Sequence, residues 1–357
     1  MTIVLVITAF LCFIGCQMKG ENEYFEDYMS LKKTNNVKGI FLLTVFFRHF
    51  TQYVKLTGEI NSFFLKFNTS LLQLLVTMFL FYSGYGVMES IKKKGTDYIK
   101  NIPLKRALKV LINFDIAVLV YLILGLLLGQ TYSIKKILLS LVCWESLGNS
   151  NWYIMAVVAL YLFTYLSFRP LCKLLKKEKY SYITAAVFVT FFSVLYVVVL
   201  KGMHRPSFIY NTVLCYPLGI WFSLFKKKFD LLVTKNDLFY FSWLSFALIM
   251  FYLFYINRNT NIWYYQTCCL FFVVLIVLIT LKIQFDNGLI QFLGTHLFSI
   301  YILQRIPMIL MSKMYNCNSH PYAFFVISFF VTIVLSLIFD IFLKFIDNKI
   351  FGRKKLT

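Results

Sequence analysis

Apolar stretches of roughly 17 residues or more recur along almost the whole chain, and each is long enough to cross about 30 Å of hydrocarbon. Such a chain is expected to fold as an all-α, polytopic membrane bundle. The spans fall at approximately 2–18, 38–54, 70–88, 108–128, 152–168, 182–200, 209–225, 238–256, 262–281, 290–312 and 322–346, which makes ten core helices preceded by one N-terminal hydrophobic helix. With 60% of its 357 residues hydrophobic, 14% charged and a mean hydropathy of +0.73, the sequence leaves no room for a large soluble domain. It divides into a hydrophobic segment and linker at 1–33, a transmembrane domain at 34–350 and a basic tail at 351–357.

A net charge of +21 invites a nucleic-acid reading, which the distribution of the cations excludes: they are sorted by loop instead of gathered in a domain. The loops at 19–38, 92–109, 169–179, 226–235, 282 and 349–355 hold 25 of the 36 basic residues, the alternate loops hold 8, and Arg48, Arg305 and Lys344 lie inside spans. The positive-inside rule puts the richer set in the cytoplasm, together with the C-terminus. The expected location is a bacterial plasma (inner) membrane, crossed many times; heavy use of Lys, Asn, Ile and Phe suggests an AT-rich genome. Residues 1–16 lack a basic n-region, which favours an uncleaved anchor over a secretory signal, although Phe13-Ile14-Gly15-Cys16 faintly resembles a lipoprotein cleavage box. None of the eight cysteines shows metal-ligand spacing, so no metal is expected; Cys143 and Cys317 fall in outside loops where a disulfide can form.

Within this apolar background a few ionisable groups stand out. Arg48 and His49 sit in the segment from Gly39 to Val54, and ionisable side chains in a bilayer rarely persist without a task or a partner. Lys38 and His49 are eleven residues apart, so they share a helix face about 16 Å from end to end, with His49 near mid-membrane or slightly beyond. A neutral imidazole there can take a proton from a hydroxyl or carry an acyl group. Burial and the neighbouring Arg48 favour the neutral ring, and Gln52 stands where it can fix the tautomer. The plainer reading is a buried histidine bonded to a neighbouring helix.

Other polar positions point the same way. Ser83-Gly84-Tyr85 brings hydroxyls and a small residue suited to close backbone approach. Lys92, Lys93 and Lys94, then Lys105 and Arg106, can bind the phosphates of a nucleotide-like molecule such as coenzyme A, or serve topology and anionic lipids. Trp152 opens a span as an interfacial anchor would. Arg305, counted from Gly294, lies about as deep as Arg48 and His49. Pro307 leaves the Leu303 carbonyl without its usual partner, and Gln304 sits beside it. Asp115 can neutralise Arg48 or Arg305.

In this order, the pieces resemble acyltransferase family 3, the membrane proteins that O-acetylate bacterial polysaccharides and related glycans. The resemblance rests on Lys38-Gly39-Ile40 followed by His49, on Ser83-Gly84-Tyr85, on Lys105-Arg106, on Trp152-Tyr153 and on Leu293-Gly294 through Ser299-Ile300-Tyr301, and it covers about 34–350. Two departures stand near the last motif: Gln304-Arg305 replaces a histidine often found there, and His296 takes a place usually held by a small or apolar residue. The resemblance implies acetyl-coenzyme A bound from the cytoplasm by Lys105 and Arg106, with Lys92 and Lys93 assisting. His49 would act as general base or acyl carrier, Arg48, Ser83 or Arg305 would stabilise the oxyanion, and Lys38 would position the donor. The expected acceptor is an outside-facing or lipid-linked glycan, with membrane lipids as surroundings and a homo-oligomer compatible with the sequence. The competing reading is a transporter or flippase, in which Arg48, Asp115 and Arg305 bind an anionic solute and His49 relays protons.

Overall fold

A computed structural model describes residues 1–173 and 179–351, without the side chains of 172–180 and 351. Lys176, Lys177 and the basic tail therefore lie outside the described residues. The chain forms helices α1 (Thr2–Phe13), α2 (Leu31–Phe50), α3 (Ser62–Leu71), α4 (Thr77–Ile102), α5 (Lys109–Leu127), α6 (Ile134–Leu141), α7 (Trp152–Phe168) and α8 (Lys179–Gly202). These are followed by α9 (Cys215–Val233), α10 (Asp237–Ile256), α11 (Ile262–Lys282), α12 (Gly288–Thr295), α13 (Leu297–Leu303), α14 (Arg305–Met314) and α15 (Pro321–Phe351). The only strands among the described residues are β1 (Cys16–Met18) and β2 (Ile283–Phe285), paired antiparallel. By length and composition, five helical runs can each cross a membrane, one of them the continuous run from 59 to 127 that contains α3, α4 and α5. The bent run α12–α14 makes six, and α1 and α7 are shorter apolar helices. Large apolar side chains such as Phe10, Leu127, Phe191 and Phe330 face outward, as they must where lipid is the solvent.

Three boundaries differ from the sequence reading. The first helix stops at Phe13 instead of continuing to residue 18, because Cys16–Met18 leaves the helix to pair with Ile283–Phe285. The second span starts at Leu31, seven residues before Lys38: Ser30 caps it, its side chain accepting the Lys33 amide at 3.4 Å. Since α2 ends at Phe50, His49 lies in its last turn, beyond mid-span. The span expected at 290–312, with its irregularity at Pro307, is bent by 70° earlier, between α12 and the α13–α14 run. His296 and Ser299, on either side of the bend, both bond the Asp340 carboxylate of α15.

One side of the molecule gathers the cation-rich loops and clasps the N-terminal segment. Lys282 donates to the Gly20 carbonyl and pairs with Asp237 (2.7 Å each), and Asp286 pairs with Lys32 at 2.8 Å and Lys33 at 3.6 Å. The hydrogen bond from Lys32, aided by the charge of Lys33, holds the Asp286 carboxyl below the ordinary carboxylate range. A carboxyl depressed in the folded state stabilises the fold above its unfolded value of about 3.9, and that contribution disappears as pH falls below it. Asp286→Asn is therefore expected to lower the melting temperature at pH 7, with the gap to wild type closing toward pH 3. A gap constant from pH 7 to pH 3 would exclude this role.

The placement of α2 rests on a close helix crossing. A methyl group on Gly39 would run into the Ile290 backbone, and one on Gly294 into the Asn35 backbone, so α2 and α12 touch through their glycines. Gly84 of α4 and Gly219 of α9 make a second contact of the same kind, against Tyr216 and Phe81. Without a hydrophobic drive between helices in lipid, close van der Waals approach of this sort is what holds them together.

Candidate active site

The last turns of α2 separate packing from polar residues by helical spacing. Phe46, Phe47 and Phe50 are buried against α3 and α15. Phe47 stacks on Phe325 at 5.1 Å and meets Phe64 edge-on at 5.4 Å, while Phe50 packs on Phe324 at 5.5 Å. Such aromatic pairs contribute about 0.5–1.5 kcal/mol each beyond their area, and together they hold the helix end rigidly. Val45, Arg48, His49 and, just past the helix, Gln52 follow the i, i+3, i+4, i+7 pattern and line a cavity of about 390 Å³.

The opposite wall of this cavity comes from two other elements. The segment Ser146–Asn151, ahead of α7, is folded on its own side chains. The Ser146 hydroxyl donates to the Asn149 carbonyl at 2.7 Å, and Asn151 donates to the Cys143 and Glu145 carbonyls at 2.7 and 2.8 Å. The break between α13 and α14 supplies Tyr301 and Arg305. Beside this break the Tyr121 hydroxyl of α5 donates to the Ile302 carbonyl at 2.8 Å.

Arg305 donates to the Gln52 side chain, which ties α14 to the end of α2. Gln52 is thus occupied with Arg305 and does not fix the imidazole. The Tyr301 ring stands edge-on to His49, centroids 6.4 Å apart, and both Arg305 and Arg48 lie close enough to His49 to act on its charge. His49 Nδ1 is buried and makes no hydrogen bond. Asp115 forms no ion pair with either arginine, and among the described residues no carboxylate lines this cavity.

The remaining sequence candidates lie elsewhere. Lys38 donates to Asn35 at 3.2 Å and stands 5.6 Å over the Tyr82 ring, deeper along α2 toward the basic side. Ser83 shares a 3.0 Å hydrogen bond with the Tyr161 hydroxyl and does not line the His49 cavity. Lys92 is engaged by Glu89 and by the Ser223 carbonyl at 3.0 Å, and Lys93 is exposed. Lys105 and Arg106 are carried on a π-helical turn, Pro103–Leu108, at the start of α5, a widened turn that recurs at functional sites. With Lys109 and Lys344 they line a second cavity of about 300 Å³ at the basic side. Lys109 is paired there with Asp347 at 2.7 Å, and Arg106 donates to the Tyr98 hydroxyl at 2.9 Å.

The two cavities share no lining residue, yet a file of tyrosines runs between them. Tyr161, bonded to Ser83, and Tyr153 both stand on α7, and Tyr153 meets Tyr301 at 5.4 Å. The sequence places Tyr153 and Tyr301 in motifs without showing that they align, and gives no sign of Tyr161, which looks like an ordinary core residue. Trp152, read as an interfacial anchor, lines the His49 cavity and packs on Phe208 at 6.3 Å.

Comparison with known families decides the class. The family model described as an acyltransferase domain, that of acyltransferase family 3, matches residues 32–341, most of the chain. The chain belongs to acyltransferase family 3. No curated protein and no solved structure matches it. This membrane acyltransferase therefore has to accommodate an acyl donor and an acceptor. The motifs of its sequence separate by role: Gly39, Gly84 and Gly294 make the helix contacts, Tyr153 and Tyr301 belong to the tyrosine file, and Arg48, His49 and Arg305 meet in one cavity.

Proposed function

We propose that the protein is an O-acetyltransferase that moves an acetyl group from acetyl-coenzyme A to a hydroxyl of a cell-surface or lipid-linked glycan. The observation that carries this reading is the meeting of Arg48 and His49 of α2 with Arg305 of α14 in one cavity on the cation-poor side, in a member of an acyltransferase family. On the positive-inside rule the opposite, cation-rich side is cytoplasmic. The donor's phosphates then bind at Lys105 and Arg106, and its acetyl end reaches toward His49 along the tyrosine file.

His49 removes the proton from the acceptor hydroxyl, whose oxygen attacks the thioester carbonyl. A C–O bond forms, the C–S bond breaks, and the coenzyme A thiolate leaves and takes up the proton. Arg305 and Arg48 supply fixed positive charge for the oxyanion; one preorganised donor of this kind is worth about 10²–10³ in rate. In a covalent variant of the same chemistry, the imidazole carries the acetyl group before passing it on.

The test is acetyl transfer from labelled acetyl-coenzyme A to the host's surface glycan by purified protein in proteoliposomes, with O-acetyl groups read by proton NMR. Arg305→Gln is expected to lower kcat by about 10²–10³-fold with little change in KM for acetyl-coenzyme A. Arg106→Gln is expected to raise that KM by about tenfold, one charge-assisted phosphate contact, and to leave kcat near wild type. Absence of any acetyl incorporation by wild type, or solute movement without consumption of the donor, would overturn the proposal.

A further inference from the structure

The His49 cavity is the middle of three. It shares Ser146 and Arg305 with a neighbour of about 340 Å³, and Arg48, Leu72, Gln73 and Phe208 with another of about 470 Å³. Through these shared residues the three chambers adjoin in a row, a groove with the His49 cavity in the middle. The positive charge along it is spaced in order: Lys136 and Lys313 in the first chamber, Arg305 where the first joins the second, Arg48 where the second joins the third, and Arg258 in the third. Among the described residues, no Asp or Glu lines any of the three chambers.

This accumulation is not explained by topology. Loop alternation assigns eight loop cations to this side, and Arg48 and Arg305 reach it from within spans; five of these ten line the groove. The ion pairs among the described residues all belong to the cation-rich side, and none includes a groove cation. Tyrosine rings orient three of the cations: Arg258 stacks 3.9 Å over Tyr255, Lys136 5.4 Å over Tyr132 and Arg305 5.9 Å over Tyr53. The Nε groups of Arg258 and Arg305 are buried without a hydrogen-bond partner. Fixed cations without protein counter-charges are suited to a ligand that brings its own negative charges.

We infer that the acceptor is a polyanionic glycan, a chain whose repeats carry phosphate or carboxylate, lying along the groove with one hydroxyl at His49 and anionic groups at Arg258 on one side and at Lys136 and Lys313 on the other. The inference rests on the acetyl-transfer reading for what happens at His49, but the binding it requires does not. The full-length protein in detergent would be tested by equilibrium dialysis against three probes: a short oligogalacturonide, its carboxyl-reduced neutral counterpart and an oligo(glycerol phosphate).

At least one anionic oligomer is expected to bind ten times or more tightly than the neutral one, an advantage that shrinks as salt screens the charges. Which anionic oligomer wins tells phosphate from carboxylate. Arg258→Gln and Lys136→Gln should each remove three- to tenfold of that preference, while Lys201→Gln, an exposed cation of the same side outside the groove, should remove none. Equal affinity for neutral and anionic oligomers, no binding of any of them, or an effect of Lys201→Gln as large as that of Arg258→Gln would overturn the inference. Tight anionic binding without acetyl transfer would keep this inference and overturn the transferase reading; efficient transfer to the neutral oligomer with no preference for the charged ones would do the reverse.

Discussion

His49→Ala is expected to lower the rate of acetyl transfer by about 10²–10⁴-fold, the usual contribution of a positioned general base, and to leave the protein folded. Both halves follow from the surroundings of the ring. It projects from the last turn of α2 into a cavity, while Phe46, Phe47 and Phe50 fix the helix on the other side, so removing the imidazole does not disturb the packing. Its buried Nδ1 makes no hydrogen bond, so truncation strands no partner. Binding of acetyl-coenzyme A, centred on the cavity of Lys105 and Arg106, should persist in the variant. The measurements are initial rate, thermal midpoint and donor affinity at matched protein concentration. A wild-type rate in the variant removes His49 from the chemistry. Acid-quenched samples decide the route, since label retained on wild-type protein but absent from His49→Ala indicates an acetylated histidine.

Gly39→Ala is expected to cost about 3 kcal/mol of stability or more, the upper end for overpacking a tight contact. The new methyl group would meet the Ile290 backbone and not the movable end of a side chain, so relief requires α2 and α12 to separate. That movement would also shift the helix end carrying Arg48 and His49, and activity should fall together with the melting temperature. Gly86→Ala is the matched control: nothing lies within 4 Å of a Cβ built there, and alanine is the better helix former by about 1 kcal/mol. If Gly39→Ala melts at the same temperature as Gly86→Ala, the α2–α12 contact does not fix the site.

How much of this was readable in the chain depends on whether the deciding contact is local. The membrane helices were legible because hydrocarbon tolerates few alternatives to long apolar helices. Arg48, His49 and Arg305 stood out because charge is rare inside such runs, and counting residues brought them to a similar depth. What the sequence missed was the start of that helix, since the Ser30 cap begins α2 seven residues before Lys38. The sequence placed the irregularity of the late span at Pro307, a local signal. The larger bend lies at His296, where the partner is Asp340, 44 residues away. Ser83 was visible, but its bond to Tyr161, 78 residues on, was not. Tyr153 and Tyr301 stood in motifs, but with 24 tyrosines in the chain nothing local singles out Tyr161 or shows that the three align; only the packing of α4, α7 and α13 does. Asp115 was the natural counter-charge by type, and the structure keeps it away from both arginines.

The file of tyrosines also has an electrical consequence. Each elementary charge crossing an energised membrane dissipates about 2.3 kcal/mol per 100 mV, so a bundle with polar cavities at both ends is a hazard to its host if water joins them. Here Tyr161, Tyr153 and Tyr301 occupy the stretch between the cavities, with only 8%, 8% and 2% of their surfaces exposed. These buried rings limit such a leak, and a donor arm reaching from one cavity to the other has to displace them.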